Sequence, residues 1–206
     1  MRNRHLKKII AVLIIAAVLF ATAGCGNEDP NAEAAKVNDT VITKAQFDNF
    51  CTLWLYTQGY DPSEDLTSEQ KKMVLGDIID AEALRQYYEE NDPSVFSDSY
   101  QSGLEIFLNQ MKQNDAEFIT NSNISDDDIT FYYMSEYLTQ FCFDEIKSEQ
   151  TEEELYRKAG AYYEEHKADF GDETLDEALE EIYYLLYSEM YNEKLSRIKD
   201  DMTIKQ

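Results

Sequence analysis

The sequence predicts a mainly α fold of about six helices with a small hairpin in front of them. Glycine and proline, the residues that most often mark turns, are scarce: there are seven glycines and three prolines among 206 residues. Long runs of Glu, Leu, Lys, Tyr and Ala favour helices. Apolar side chains also recur at helical spacing, and several of these segments open with a Ser or Thr that precedes Glu, Gln or Asp by three residues.

The predicted hairpin lies between Lys36 and Ile42. Short β-prone pieces flank Asn38-Asp39, a pair of residues that favours a tight turn. The tail Met202 to Lys205 alternates like a short strand. Because no other β-prone segment is available, we expect this tail to pair with the hairpin.

Six helices are predicted from their caps and from their apolar stripes. A Gly or an Asp-Pro pair ends the first two. The predicted helices run from Thr43 to Gly59, from Thr67 to Asp92-Pro93, from about Asp98 to Asn114, from Ser125 to about Lys147, from Thr151 through Tyr163, and from Thr174 toward Ile198.

The fourth predicted helix carries more aromatic side chains than one stripe can hold. Two interpretations are open: the helix is buried on most sides, or part of its surface is an exposed aromatic wall. The rings concerned are Phe131, Tyr132, Tyr133, Tyr137, Phe141 and Phe143.

Residues 1–24 have the order of a bacterial lipoprotein export signal. A basic head precedes the apolar run from Ile9 to Ala21, which is shorter than the roughly 20 residues that a membrane span needs. Small residues then precede Cys25, the predicted acceptor of the lipid, palmitate included, although Thr22 stands where such signals commonly have leucine. The alternative is a signal-peptide cysteine without lipid.

This signal sets the predicted organisation and location. Residues 25–35 are small and polar, which is typical of a flexible tether, and residues 36–206 form the folded domain. We therefore expect a protein attached by lipid to the extracytoplasmic face of the cell membrane.

The charge excludes several classes of partner. Without residues 1–24, which hold four bases and no acid, the net charge goes from −24 to −28. Nucleic acid and anionic lipid surfaces require basic patches, so neither is predicted as a partner. Calcium binding at Asp126 to Asp128 would need the alternating ligands and the glycine turn of an EF-hand loop, which do not follow.

The sequence offers no catalytic arrangement. His166 is the one histidine after the signal segment, and its position near a predicted helix end suits a cation that complements the helix dipole. No metal site, P-loop or dinucleotide motif is present, so neither a cofactor nor a metal is predicted. Cys51 and Cys142 are either bridged outside the cytoplasm or two buried thiols that act as small hydrophobes.

Several segments resemble the chaperone domain of extracytoplasmic foldases of the SurA and PrsA type. The entry from Val37 to Phe47 is similar to the family's opening, with Asp39 where a glycine is common. Residues 124–129, 162–170 and 175–205 resemble later segments of the same domain. Family members commonly insert a parvulin prolyl-isomerase domain after the position of Phe170, where this chain has only a short polar link. The resemblance therefore implies a chaperone domain without isomerase activity.

A chaperone surface needs apolar area with adaptable polar edges, which tyrosine supplies at low entropic cost. The predicted client-binding residues are Trp54, Tyr56, Tyr132, Tyr133 and Tyr137, with core packing as the alternative for each. The leading hypothesis is a non-enzymatic chaperone for unfolded or exported polypeptides. The other is a structural or adaptor lipoprotein that docks one envelope partner. No oligomeric state is predicted.

Overall fold

Eight helices and a three-stranded sheet form the structure, a computed structural model that describes residues 29–206. The predicted mainly α class is confirmed. The signal peptide (residues 1–24), Cys25 and the first part of the tether lie outside the described residues. Within residues 29–206, no helix has both the length and the apolar character that a membrane span requires.

The elements follow one another with short connections. The strands are β1 (Glu33–Val37), β2 (Thr40–Thr43) and β3 (Ile204–Lys205). The helices are α1 (Lys44–Thr57), α2 (Ser68–Asn91), α3 (Asp98–Asn114), α4 (Ala116–Ser122), α5 (Asp126–Ser148), α6 (Glu152–Glu165), α7 (Lys167–Phe170) and α8 (Leu175–Asp200), and a 3-10 helix spans Pro93–Phe96.

The sheet joins the two ends of the described chain. Its order is β2-β1-β3 and both pairings are antiparallel. The predicted Asn38-Asp39 turn and the pairing of the C-terminal tail are both present. The backbone amide of Asn38 donates to the carbonyl of Thr203 over 2.7 Å, and the amide of Thr203 donates to Asn38 Oδ1 over 2.9 Å. β1 begins at Glu33, so the last residues of the predicted tether belong to the sheet.

Local sequence signals place the starts of the long helices. Four of them begin with a full capping box. In such a box the side chain of the N-cap residue accepts from the backbone amide three residues later, and the side chain of that later residue accepts from the N-cap amide. Before α6, Thr151 accepts from the amide of Glu154. The boxes are Thr43 with Gln46, Thr67 with Gln70, Ser125 with Asp128, and Thr174 with Glu177.

Helix α5 lies at the centre of the fold. It packs against α1, α2, α3 and α8, which surround it on most sides. Its aromatic residues therefore face several different neighbours. Phe131 contacts Phe50 of α1, with ring centroids 5.9 Å apart, and Phe143 stacks on Tyr191 of α8 at 4.4 Å. Of the two interpretations, burial on most sides describes this helix.

Helix α2 anchors the hairpin. Gln86 Nε2 donates to the carbonyl of Val37 over 3.2 Å, and Gln86 Oε1 accepts from the side chain of Asn38 over 2.7 Å. The carboxylate of Glu82, which is only 2% exposed, accepts from Arg85 and from Gln86. A buried carboxylate needs such partners, since leaving it unpaired would strongly destabilise the fold.

The described residues contain two separate hydrophobic clusters. The large one lies among the sheet, α1, α2, α3, α5 and the C-terminal half of α8, which together form the body. The small one lies between α6 and the first half of α8. Its buried members are Leu155, Ala159, Tyr163, Ala178, Ile182 and Leu186. We call residues 151–186, which hold this second cluster, the arm.

Candidate functional site

Helix α8 connects the arm to the body, and its two halves pack on different partners. In the C-terminal half, Lys194 donates to Glu145 over 2.6 Å and Lys199 donates to Asp80 over 2.6 Å. Tyr191 stacks on Phe143 in the same region. In the N-terminal half, α8 packs against α6. The helix therefore continues past the body and carries the arm.

The face of α8 that packs on the body extends beyond the body. Tyr187, Tyr191 and Ile198 lie on this face, since residues three, four or seven apart share one side of a helix. Tyr184 and Tyr183 lie three and four residues before Tyr187, so they continue this face toward the N-terminus of α8, past the last contacts with the body. Tyr183 is partly buried against the small cluster, whereas Tyr184 is 58% exposed and its ring has no covering element within residues 29–206.

Helix α6 adds a further ring beside this face. Tyr156 is 47% exposed. The pKa of Tyr183 is raised by partial burial and then by the electrostatic influence of Tyr156, Tyr187 and Glu152. We call Tyr156, Tyr183, Tyr184 and Tyr187 the tyrosine ledge.

The arm that presents the ledge is strongly acidic. Residues 151–186 contain 12 acidic residues against three Lys and Arg residues. Partial burial and then nearby carboxylates, with Glu189 and Asp169 first among them, raise the pKa of Tyr162 on the arm. The field around the arm therefore favours cations.

One cation already sits on the ledge. The ammonium of Lys147, at the end of α5, lies 5.8 Å from the centroid of the Tyr187 ring. The face of an aromatic ring is negative, so it attracts an ammonium group at this distance. The Lys147 side chain is 50% exposed and comes from the body. The contact shows that a lysine can approach the ledge from outside the arm.

Further acidic groups lie where α2, α5 and α8 meet within the body. Burial, followed by the charges of Asp80 and Glu136, raises the pKa of Asp77 to about 7. Burial also raises the pKa of Asp80, although Lys199 opposes this effect, and it raises the pKa of Glu136. No group of acidic, His or Cys residues in the described part of the chain is arranged to hold a metal ion.

Three of the five predicted client-binding residues belong to α5 and face its neighbours. Tyr132 is 3% exposed and its hydroxyl lies 2.6 Å from Thr57 Oγ1, so its assignment to the client surface is wrong and core packing describes it. Tyr133 and Tyr137 are half-buried against Tyr100 of α3, with centroids 5.7 Å and 4.9 Å away.

The other two lie at the end of α1. Trp54 stacks on the exposed Tyr60 at 6.2 Å. Tyr56 stacks on Phe118 of α4 at 3.8 Å, and its hydroxyl donates to Asp115 beside a cavity of about 690 Å³. The structure therefore distributes the five predicted residues over separate places and does not assemble them into one cleft.

Cys51 and Cys142 are free and buried, which is the second of the two alternatives, and they are not bridged to each other. The thiols have different surroundings. Burial and then Asp48 raise the pKa of Cys51 to about 12. Burial raises the pKa of Cys142, although a hydrogen bond with Tyr88 opposes this effect.

His166 forms the C-terminal cap of α6. Its ring stacks on Tyr162 with centroids 4.2 Å apart, and its Nδ1 lies 3.0 Å from the Tyr162 carbonyl oxygen. This is the helix end at which the sequence placed it.

The tyrosine ledge is not among the surfaces predicted from the sequence. A signal was available: Tyr183, Tyr184 and Tyr187 lie beside Ile182 and Leu186, which are the buried residues of the same turns. Three rings next to a complete apolar stripe cannot all join the helix's own core. Whether they meet the body or solvent depends on where α8 leaves the body, which is a tertiary property.

Comparison with protein families explains the first half of the chain. Residues 1–102 match the family model described as the SurA-like N-terminal domain. The first half of the chain therefore contains a SurA-like N-terminal domain. The resemblance predicted from the sequence is thereby confirmed for the N-terminal domain. The described part of the SurA-like domain includes β1, β2, α1, α2 and the start of α3, whereas the arm follows it in the chain.

No significant match was found among curated proteins or among solved structures. The SurA-like N-terminal domain is a chaperone-type domain without catalytic function, and it indicates a chaperone-like or foldase-associated role.

Proposed function

We propose that the protein is a membrane-anchored extracytoplasmic lipoprotein that binds unfolded or exported polypeptides as a non-enzymatic chaperone. The observation that carries this proposal is the SurA-like N-terminal domain in residues 1–102. The exposed rings of the arm support it, because they supply apolar area that the folded protein leaves uncovered.

The tyrosine ledge suits reversible binding of extended chains. Tyrosine rings offer a rigid apolar face and a polar hydroxyl, and ordering them on binding costs little entropy. A buried apolar side chain contributes about 1.5–3 kcal/mol, and micromolar affinity corresponds to about 8 kcal/mol. A few shared contacts therefore give a complex that forms and releases.

The chaperone activity can be tested by aggregation. The full chain, held in nanodiscs of zwitterionic lipid, is added to several unrelated unfolded proteins, and light scattering is followed. We expect delayed aggregation of each of them, with empty nanodiscs as the control. Tight binding to one envelope protein without any delay would instead support the adaptor hypothesis.

The lipid anchor is a separate part of the proposal and rests on the sequence of residues 1–25. Replacement of the acceptor thiol in Cys25→Ser should shift the protein from the membrane fraction to the soluble fraction or to an unprocessed form. Because Cys25 lies outside the described fold, circular dichroism of the variant should be unchanged. Full retention of processed protein in the membrane would contradict lipidation at this residue.

A further inference from the structure

We propose that the tyrosine ledge selects basic, lysine- or arginine-rich segments of unfolded polypeptides. This inference rests on the proposed chaperone function and adds the chemical class of the client. It concerns the surface of Tyr156, Tyr183 and Tyr184 on the arm and of Tyr187 where the arm joins the body, beyond the residues that match the SurA-like domain.

The ledge continues a helix face that is covered by the body at one end and lacks a partner at the other. The face of α8 that continues into it packs on the body lower down, through Tyr187, Tyr191 and Ile198. Beyond the body, Tyr183 is only partly buried and Tyr184 is 58% exposed. Covering an apolar face of this kind with another chain removes it from water, which lowers the free energy.

The negative charge of the arm complements a basic ligand. The arm contains 12 acidic residues and only three Lys and Arg residues. Glu152 is exposed one turn before Tyr156 on the same side of α6, and Glu180 is exposed one turn before Tyr184 on the same side of α8. An acidic segment would be repelled from this surface, whereas a basic one would be attracted to it.

The protein itself contains a contact between a lysine and a ring of the ledge. The ammonium of Lys147 lies 5.8 Å from the centroid of Tyr187. A second pair of the same kind occurs at the tip of the arm, where the ammonium of Lys167 lies 5.5 Å from the centroid of Tyr163. The basic side chains of a client would repeat this geometry on Tyr183 and Tyr184, with carboxylates beside the rings.

The experiment compares three labelled peptides by fluorescence anisotropy. One is a Gly/Ser-rich peptide that carries phenylalanines and lysines, and the other two have glutamine or glutamate in place of every lysine. The protein is the full chain in nanodiscs of zwitterionic lipid. We expect the lysine peptide to bind about tenfold more tightly than the glutamine peptide, and the glutamate peptide to bind most weakly. The preference should shrink between about 50 and 300 mM NaCl.

Two pairs of variants locate the site. Tyr184→Ala should weaken binding of the lysine peptide about fivefold, while Tyr60→Ala, which removes a ring that is 55% exposed outside the arm, should not. Glu152→Gln with Glu180→Gln should remove most of the preference for lysine over glutamine. The matched control, Glu64→Gln with Glu69→Gln, changes exposed acids outside the arm and should keep that preference.

Equal affinity for the lysine and glutamine peptides would overturn the inference, as would an unchanged affinity in Tyr184→Ala. If aggregation of unfolded proteins is still delayed in that case, the chaperone function stands and only the selectivity fails. If neither effect is seen, both proposals fail. Should Tyr184→Ala lose helicity, the glutamate variants alone decide, because exposed Glu→Gln changes leave the packing intact.

Discussion

Asn38 shows how one residue can fix the junction of the two chain ends. Its φ of 51° is a left-handed conformation, which asparagine tolerates better than most residues. Its side chain accepts from the amide of Thr203 and donates to Gln86. The turn, the C-terminal strand and helix α2 therefore meet at this single side chain.

Two substitutions separate these roles. Asn38→Ala should destabilise the protein by about 2–3 kcal/mol, because it removes the hydrogen bonds and strains the backbone. Asn38→Gly removes the same hydrogen bonds but permits the positive φ, so its loss should be about 1 kcal/mol smaller. Urea denaturation of both variants measures the difference. Equal losses would mean that backbone conformation is unimportant at this position.

Asp77 gives the stability a pH dependence. Its pKa of about 7 in the folded protein lies above the ordinary value of 3.8. The folded state therefore binds its proton more tightly than the unfolded state, and the resulting stabilisation is complete below about pH 4 and is lost as the pH rises through about 7. Near neutral pH, this carboxylate opposes folding.

Asp77→Asn mimics the protonated group at every pH. The thermal midpoint of the variant at pH 8 should exceed that of the unmodified protein by about 2 °C, and the gain should disappear near pH 4. The effect is small because Asp77 retains contact with solvent. Glu90→Gln, at an exposed position of the same helix, is the control. A gain that stays constant across this pH range would show that Asp77 does not titrate as described.

At the scale of the elements, the contact between α3 and α5 depends on a glycine. A methyl group on Gly103 would collide with the hydroxyl of Tyr133 and would lie 3.2 Å from its Cζ. The Tyr133 ring is held by Tyr137 and Phe107, with centroids 6.0 Å and 5.4 Å away, so it cannot move aside freely. Gly103 therefore permits the close approach of the two helices.

A double-mutant cycle tests this contact. Gly103→Ala should destabilise the protein by about 1–2 kcal/mol, because overpacking exceeds the gain in helix propensity. In the Tyr133→Phe background the hydroxyl is gone, and the same substitution should be about 1 kcal/mol less harmful. Denaturant unfolding of the four proteins gives the coupling. If the two substitutions proved additive, the collision with the hydroxyl would be excluded.

The element boundaries were largely predictable because the signals that set them are local. Thr43, Thr67, Ser125 and Thr174 each cap the helix that follows them, as their sequences predicted. The short helices α4 and α7 were not predicted. Their seven and four residues are too few to display an apolar period.

The candidate site was less predictable, since exposure is decided by packing between distant segments. Tyr132 and Tyr184 both lie in aromatic-rich helices, yet one is 3% and the other 58% exposed. The difference arises because α5 is surrounded by four helices, whereas the first half of α8 extends past the body. Nothing within either helix encodes that arrangement.

At the scale of the whole molecule, the second hydrophobic cluster makes the arm a separate unit of stability. Only α6, α7 and the first half of α8 contribute to its core. Small cores bury little apolar surface and open more easily than large ones. The arm should therefore open locally while the body remains folded.

Hydrogen exchange measured by mass spectrometry tests this independence. The free energy of the opening that exposes the amides of α6 should be about 2 kcal/mol lower than that for buried amides in α2. Peptides from residues 152–165 and 74–88 provide the comparison. Identical opening free energies in the two peptides would show that arm and body unfold as one unit.

The sheet and the arm stand at opposite ends of α8, and this sets a length for the molecule. Helix α8 has 26 residues, which corresponds to about 39 Å from Leu175 at the tip of the arm to Asp200 beside β3. The N-terminal strand β1 pairs with β3, so the chain enters the fold at that same end. A bilayer holding the N-terminus would therefore lie nearest the sheet. The tyrosine ledge would then lie farther from the lipid headgroups than the sheet does, about 24 Å along α8 from Asp200.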